Sequence, residues 1–242
     1  MEIAVLGGTG LIGSQVVKKL NAAGHRAVPH SQSTGVDVIS GRGLDRAVAG
    51  ADVIVNLTNS PTFDEASAAF FRTSMDNLLA AGRKGGARHF VILSIVGVDQ
   101  VPELDYYRAK ALQEEILAAG PIPYSIVRAT QFMEFVDAVL SWTADADTVR
   151  LPATPIQPIA AEDVADAVAE VAAGAPLGGV RNIAGPEVFP LDELGRITLS
   201  HRSDGRTVVT DPSAGMFAAV RGDVLTDRNA RLAPTRYADW LS

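Results

Sequence analysis

Three residues with complementary chemistry, Ser94, Tyr106 and Lys110, have a spacing that suits proton transfer. Tyr106 and Lys110 are four residues apart in a helical segment, so they share one helix face. A lysine ammonium beside a tyrosine lowers the pKa of the phenol from its usual value of about 10. Ser94 ends the apolar run before this helix, where its hydroxyl can hold a substrate oxygen. The set predicts a proton donor for an oxygen that gains negative charge; the alternative is a purely structural tyrosine, lysine and serine.

The second chemical motif is a glycine-rich turn near the start of the sequence. Gly7, Gly10 and Gly13 follow the apolar run of residues 3–6, and a helical segment comes directly after them. The first glycine permits a tight turn, the second lets a phosphate approach the backbone, and the third allows close packing of the helix on the strand. The helix N-terminus adds unpaired N–H groups and a partial positive charge. In this strand–loop–helix context the motif predicts a dinucleotide site and, with the tyrosine, hydride transfer to a carbonyl.

The segment after the second predicted strand indicates which dinucleotide binds. An NAD site usually has an acidic residue there, about 20 residues beyond the glycines, for the ribose 2′-hydroxyl. Here His30 and Ser31 occupy that position, no arginine is found among them, and the first acid is Asp37. Neutral hydrogen-bonding groups accept a 2′-phosphate without repelling it. The predicted cofactor is therefore NADP(H), with NAD(H) as the alternative.

A parallel sheet is needed to hold these residues in position. Short β-branched runs alternate with segments rich in alanine and leucine, and the runs are apolar almost throughout. This alternation predicts an α/β fold, a Rossmann-type doubly wound parallel sheet with a small C-terminal substrate lobe. Residues 1–128 are the predicted dinucleotide-binding Rossmann domain. Residues 129–242, where the pattern loosens and prolines cluster, are the predicted smaller substrate-side lobe, partly interleaved with the main sheet.

The pattern also predicts the bounds of individual elements. The predicted strands are Glu2–Leu6, His25–Pro29, Asp52–Leu57, Arg88–Leu93, Tyr124–Arg128 and Val180–Ala184. The predicted helices are Leu11–Ala23, Leu44–Val48, Phe63–Arg83, Pro102–Ala119, Ala161–Ala173 and Leu191–Ser200.

Composition narrows the classes of protein and partner. The 242 residues include 21 basic and 28 acidic side chains without a basic stripe, so we expect no nucleic-acid partner. The sequence contains no cysteine, which excludes disulfides, thiolate nucleophiles and cysteine-bound metals, and its four histidines lack metal-ligand spacing. We see no basic leader and no apolar stretch of membrane-spanning length. We therefore expect a cytoplasmic protein with no membrane partner and no metal.

Four segments resemble the short-chain dehydrogenase/reductase superfamily, in its atypical, NmrA-like branch of NAD(P)H-binding proteins. They are VLGGTGLIG at residues 5–13, HFVILSIVGVD at 89–99, YYRAKALQEE at 106–115 and YSIVRATQFMEFV at 124–136. The resemblance covers roughly residues 1–185, and ADWL at 238–241 is also similar. It fades in the part of the sequence that would select the substrate.

The resemblance implies a role for each set of residues. The pyrophosphate would contact Gly7, Thr9, Gly10, Leu11, Ile12 and Gly13. The adenosine half would contact His30 and Ser31 at the ribose, Asp37 near the adenine, and Leu57, Thr58 and Asn59. Ser94, Tyr106 and Lys110 match the superfamily's Ser–Tyr–Lys set, in which Lys110 also binds the cofactor. Arg128 and Thr130 would lie beside the nicotinamide, and Gln131 and Phe132 beside the substrate.

Together these features predict an NAD(P)H-dependent oxidoreductase that reduces a small carbonyl or enone, with NADPH favoured. Tyr106 would be the general acid, and Ser94 would donate a hydrogen bond to the substrate oxygen. Lys110 would lower the pKa of Tyr106 and bind the ribose hydroxyls of the cofactor. Two alternatives remain open: a dinucleotide-sensing regulator without turnover, and an epimerase or isomerase that recycles its cofactor. The expected partner is a small-molecule substrate, and the expected assembly is a monomer or homodimer.

Overall fold

The computed structural model describes residues 1–242, and its frame is a seven-stranded parallel sheet. The strands are β1 (Glu2–Leu6), β2 (Arg26–His30), β3 (Val53–Asn56), β4 (His89–Ile95), β5 (Tyr124–Ala129), β6 (Thr148–Leu151), β7 (Pro155–Ile156), β8 (Gly179–Ala184), β9 (Phe189–Pro190), β10 (Thr207–Thr210) and β11 (Arg231–Leu232). The α-helices are α1 (Leu11–Ala22), α2 (Leu44–Val48), α3 (Ala66–Gly85), α4 (Asp105–Ala118), α5 (Val136–Trp142), α6 (Ala161–Ala173), α7 (Leu191–His201) and α8 (Tyr237–Leu241). The predicted Rossmann-type α/β fold is confirmed.

The order of the strands shows where a ligand is expected to bind. It runs β11-β8-β5-β4-β3-β1-β2, so the direction of winding reverses between β1 and β3. Leu6 at the end of β1 pairs with His30 on one side and with Asn56 on the other, and Asn56 pairs with Ile92. The carboxyl ends of these strands therefore form one edge of the sheet. In open α/β sheets, ligands bind at this edge, at the point of reversal.

The chain divides into two compact units. The first comprises Met1–Arg128 and Val164–Arg181, and the second comprises Ala129–Asp163 and Asn182–Ser242. The helix α6, which we assigned to the substrate-side lobe, thus belongs to the first unit from Val164 onward. No helix is long and apolar enough to cross a membrane.

The core of the first unit follows from its apolar strands. Leu6, Ile54 and Ile92 come from three neighbouring strands and cluster with Met75 and Leu78 of α3, all of them at most 1% exposed. A fully buried side chain of this size contributes about 1.5–3 kcal/mol relative to an exposed one. Packing of α3 on the sheet therefore stabilises the edge where the glycine-rich turn lies.

The second unit has its own small sheets and core. The strands β6 and β10 pair in parallel, and β7 and β9 pair antiparallel. Tyr237 of α8 is 1% exposed, and its hydroxyl shares a hydrogen bond with Thr198 Oγ1 at 2.7 Å. The sequence pattern did not predict α5, β6, β10 or α8, which lie after Ala129, where the regular alternation of strands and helices ends.

Two element boundaries differ from the prediction in ways that affect the site. Helix α3 begins at Ala66 rather than Phe63, and the Ala66 N–H donates to Asp64 Oδ1 of the preceding loop at 3.0 Å. Strand β4 continues to Ile95, so Ser94 lies within the strand and not after it. Phe63 is consequently a loop residue.

Glycine at position 13 is required by the packing of α1. A Cβ at Gly13 would lie 2.1 Å from the carbonyl oxygen of Gly7 and 2.7 Å from the Cα of Gly8. These are backbone atoms, which cannot move aside as a flexible side chain can. The third glycine of the motif thus allows the helix to approach the turn, as the sequence predicts.

We expect Gly13→Ala to lower the free energy of unfolding by about 2–3 kcal/mol, the scale of an overpacked interior. The control is Gly174→Ala, where a Cβ would meet nothing closer than 3.4 Å. Urea denaturation monitored by circular dichroism gives both values. Equal stability of the two variants would contradict the close packing described here.

Candidate active site

The glycine-rich turn has the geometry of a phosphate cradle. Gly7 has a φ of +74°, and the N–H groups of Gly7 and Gly8 donate to the His30 carbonyl at 2.9 and 3.2 Å. The N-terminus of α1, at Gly10, has no side-chain cap, and Thr9, Gly10 and Leu11 are exposed. A Cβ at Gly10 would meet only the Gly7 oxygen, at 3.3 Å, so the space in front of the helix is open. These features fit a dinucleotide pyrophosphate.

The end of β2 carries the residues assigned to the adenosine ribose. His30 is partly buried, and its pKa is lowered chiefly by burial and further by the positive charge of Arg46 on α2. The Ser31 Oγ shares a hydrogen bond with Ser33 Oγ at 2.8 Å. No arginine lies in the segment directly after β2, but Arg46 of α2, sixteen residues beyond His30, is close enough to lower the pKa of His30.

Arg42 and Arg46 also line a surface hollow near this strand end. Its volume is about 610 Å³, and its other lining residues are Gly35, Gly41, Gly43 and Asp45. Asp37, which the resemblance assigned to the adenine, is held by local contacts. Its carboxylate accepts hydrogen bonds from the Ile39 N–H and the Ser40 hydroxyl, which lower its pKa.

The three residues after β3, Leu57, Thr58 and Asn59, make different contacts. Thr58 donates through its N–H and its hydroxyl to Asn56 Oδ1, at 3.0 and 2.7 Å, which fixes the exit of the chain from β3. The backbone oxygen of Leu57 lies 2.7 Å from the position of a Cβ on Gly7, so Leu57 borders the glycine-rich turn. Asn59 Oδ1 accepts a hydrogen bond from the Tyr106 hydroxyl at 2.5 Å, a contact that we did not predict.

Tyr106 lies among aromatic rings at the N-terminal end of α4. Its ring centroid is 4.9 Å from that of Phe63 in an edge-to-face arrangement and 6.2 Å from that of Phe71. Burial raises the pKa of Tyr106 to about 12. We expected a lowered pKa because of Lys110, and the structure gives the opposite direction, since loss of water around the phenol dominates.

Lys110 directs its ammonium group into the interior. Its Nζ donates to the Leu93 carbonyl of β4 at 2.7 Å and to the Gln113 side-chain oxygen, and it lies 4.9 Å from the centroid of the Phe71 ring. Burial lowers the pKa of Lys110 to about 7, although the nearby Glu114 carboxylate opposes this shift. We did not predict Gln113 as a partner of Lys110, although residues three apart are neighbours on one face of a helix.

Ser94 is 3% exposed, and its hydroxyl has no hydrogen-bond partner in the protein. It follows Leu93, whose carbonyl accepts a hydrogen bond from Lys110 Nζ. Buried hydroxyl groups nearly always have a partner, so an unpaired one in this position needs an explanation.

Arg128, expected beside the nicotinamide, is held by two acids of the first unit. Its Nη2 lies 2.6 Å from Glu114 Oε2, its Nε lies 2.9 Å from Glu114 Oε1, and its Nη1 lies 3.3 Å from Asp99 Oδ2. The hydrogen bond with Glu114 is the main reason that the pKa of Arg128 is raised. The guanidinium therefore ties β5 to α4 and to the loop after β4.

The remaining predicted residues lie in the second unit. The Thr130 N–H donates to the Ile183 carbonyl at 3.1 Å, while its buried hydroxyl has no partner. Gln131 and Phe132 line a small cavity in which the seven other lining residues are apolar. Their roles, like those of the other site residues, stay predictions.

Comparison with known proteins identifies the family. A family model described as NAD(P)H-binding matches residues 7–174, which include the glycine-rich turn, Ser94, Tyr106 and Lys110. The chain belongs to the NAD(P)H-binding family. The expected NAD(P)H-binding family is thereby confirmed, whereas the NmrA-like branch stays a prediction.

Two curated relatives of this NAD(P)H-binding protein are named reductases. The (4-alkanoyl-5-oxo-2,5-dihydrofuran-3-yl)methyl phosphate reductase of Streptomyces griseus is 29% identical over 79% of this chain and 70% of its own length. The divinyl chlorophyllide a 8-vinyl-reductase of Cucumis sativus is 27% identical over 70% of this chain and 49% of its own length. The match thus spans about half of the second relative.

A solved structure agrees with the fold over the full chain. A nucleoside-diphosphate-sugar epimerase from Staphylococcus aureus has a TM-score of 0.75 and covers 100% of this chain and 99% of its own. Its sequence identity is 16%, so the likeness concerns the fold alone.

The buried lysine predicts a specific dependence of stability on pH. Its pKa of about 7 in the folded protein lies below the unfolded value of 10.5, so between these values the unfolded chain binds more protons. Stability from this group therefore rises as the pH increases above 7. We expect the free energy of unfolding of the wild type to rise by about 2 kcal/mol relative to Lys110→Met between pH 7 and pH 9. Urea denaturation at these two pH values measures the difference, and parallel pH profiles would contradict it.

Proposed function

We propose that the protein is an NADPH-dependent reductase of a small carbonyl compound or enone. The observation that carries this proposal is the Ser94 hydroxyl, which is buried and without a partner near the carboxyl end of β4. A substrate oxygen at this position supplies the missing partner. The named reductases among the relatives support the reaction class.

The chain's own residues account for binding of the cofactor and movement of the proton. The N–H groups at the start of α1 hold the pyrophosphate in the space in front of Gly10. When bound, the cofactor supplies the hydride for the substrate carbon. Tyr106 is protonated at neutral pH, because its pKa is about 12, and it donates this proton to the substrate oxygen. Ser94 donates a second hydrogen bond to the same oxygen.

Lys110 has a positioning role in addition to the predicted contact with the cofactor ribose. By donating to the Leu93 carbonyl, it holds the segment of β4 that carries Ser94. Because its pKa is about 7, the amine is charged below neutral pH and mostly neutral above it.

The preference for NADPH rests on charge at the end of β2. Arg46 acts on His30 from α2, and Arg42 lines the same hollow. The first acid after β2, Asp37, accepts hydrogen bonds from the Ile39 N–H and the Ser40 hydroxyl, and Asp45, which lines the hollow, is paired with Lys84. A cationic environment with hydroxyl donors suits a 2′-phosphate.

The names of the relatives favour an enone over an isolated ketone. One names an oxo-dihydrofuran ring with an alkanoyl group, and the other names a vinyl group. Both compounds contain a carbon–carbon double bond.

We expect Tyr106→Phe to lower kcat/KM at least 100-fold, the usual contribution of a positioned acid, and Ser94→Ala to lower it about tenfold. Ser94→Ala should leave stability unchanged, because the hydroxyl makes no hydrogen bond within the protein. Loss of NADPH absorbance with a panel of ketones and enones measures turnover, with Tyr124→Phe as the control. Full turnover in Tyr106→Phe would contradict the role of the acid. Tight NADPH binding without oxidation on any compound would favour the sensing regulator.

For the cofactor, we expect Arg46→Ala to weaken NADPH binding about tenfold and to leave NADH binding unchanged, because one charge-assisted hydrogen bond to a phosphate is lost. The control is Arg83→Ala, an exposed arginine near the end of α3. Calorimetric titration gives the four dissociation constants. An equal loss for both cofactors would place Arg46 elsewhere on the dinucleotide.

A further inference from the structure

Two residues of one loop contact Tyr106. The β3–α3 loop, residues 57–65, contains Asn59, which accepts the phenol hydrogen bond at 2.5 Å, and Phe63, whose ring lies edge-to-face with the phenol ring at 4.9 Å. The sequence assigned Asn59 to the adenosine half and Phe63 to a helix. In the structure both are neighbours of the proposed acid.

Side-chain hydrogen bonds hold this loop in one conformation. Ser67 of α3 is fully buried, and its hydroxyl donates to the Thr62 carbonyl at 2.7 Å and shares a hydrogen bond with Ser60 Oγ at 3.1 Å, in which it accepts. Asp64 Oδ1 accepts from the Thr62 hydroxyl at 2.8 Å and from the Ala66 N–H at 3.0 Å. Asn59 and Phe63 thus lie in a loop that these hydrogen bonds connect to the start of α3.

The side chain of Phe63 is exposed, although hydrogen bonds of its neighbours connect the loop to α3. It is 46% exposed, while the neighbouring Phe71 is fully buried. An exposed aromatic ring beside a proposed catalytic group offers an apolar, polarisable surface to a ligand. Planar conjugated molecules gain most from such a contact, because their whole face meets the ring.

Because Asn59 accepts the phenol hydrogen bond, a ligand that binds Tyr106 needs an acceptor oxygen of its own. The Tyr106 hydroxyl has one proton, and this proton is already donated to Asn59. A substrate receives it only by replacing the amide oxygen with an acceptor oxygen of its own.

We propose that Asn59 and Phe63 form a recognition surface for a planar, conjugated carbonyl compound. Its oxygen exchanges with Asn59 for the Tyr106 hydroxyl, and its unsaturated part packs against Phe63. The inference rests on the proposed role of Tyr106 as proton donor and names the substrate class for that role.

Two probes test this surface in the presence of NADP⁺, where no hydride is available: coumarin, a planar unsaturated lactone, and cyclohexanone, a puckered saturated ketone. We expect coumarin to bind at least fivefold more tightly. Phe63→Ala should weaken coumarin binding about five- to tenfold, the range of one aromatic contact, and cyclohexanone binding less than twofold. The control is Phe70→Leu, an aromatic residue of α3 that is partly buried. Calorimetry gives each dissociation constant.

Asn59→Asp tests the exchange of the hydrogen bond. A carboxylate holds the phenol proton more strongly than an amide does, so both probes should bind at least fivefold more weakly. The NADP⁺ dissociation constant should stay the same in all variants, and melting temperatures verify that each variant is folded.

Several results would overturn the inference: equal affinity for the two probes in the wild type, coumarin binding that is insensitive to Phe63→Ala, or a loss of NADP⁺ binding in either loop variant. The last result would assign the loop to the cofactor. Failure of the proposed function has a different signature, namely full turnover in Tyr106→Phe. If NADP⁺ does not bind at all, titration of the protein alone with coumarin still decides the role of Phe63.

Discussion

The candidate site depends on the burial of one ammonium group. Lys110 Nζ is removed from water and depends on the Leu93 carbonyl and the Gln113 amide oxygen as acceptors. A buried amine without such acceptors costs several kcal/mol, so β4 and α4 must hold this arrangement together. Ser94 is adjacent to one of these anchors, and Tyr106 is one helical turn from the lysine. Phe71 contacts both the phenol ring and the ammonium group, which makes α3 part of the same assembly.

The sequence predicts the frame of the first unit because the necessary information is local. The strand Glu2–Leu6 and the helices Leu44–Val48 and Ala161–Ala173 have the predicted bounds, since β-branched runs and alanine-rich segments differ strongly in periodicity. The glycine-rich turn is readable for a similar reason, because its three glycines lie within seven consecutive residues, directly between a strand and a helix. The short elements of the second unit lack such a signal.

The chemistry of the site depends on contacts between distant residues, which a single sequence does not contain. Arg46 approaches His30 only because α2 folds back beside β2, and Asn59 meets Tyr106 only because β3 and β4 are neighbours. The direction of the Tyr106 pKa was mispredicted for the same reason. Proximity of a lysine is readable from the i+4 spacing, whereas the extent of burial around the phenol is a property of the packed fold.

The Asn59 amide oxygen already occupies the position at which a ligand would accept the hydrogen bond of the Tyr106 hydroxyl. Because the amide is tethered beside the phenol, it competes with every incoming molecule at a high effective concentration. Exchange of one acceptor oxygen for another is nearly neutral in free energy, so hydrogen bonding to the phenol adds little net affinity. Differences in affinity between molecules then depend on the rest of their surface. A compound that offers only an acceptor oxygen gains too little free energy to bind.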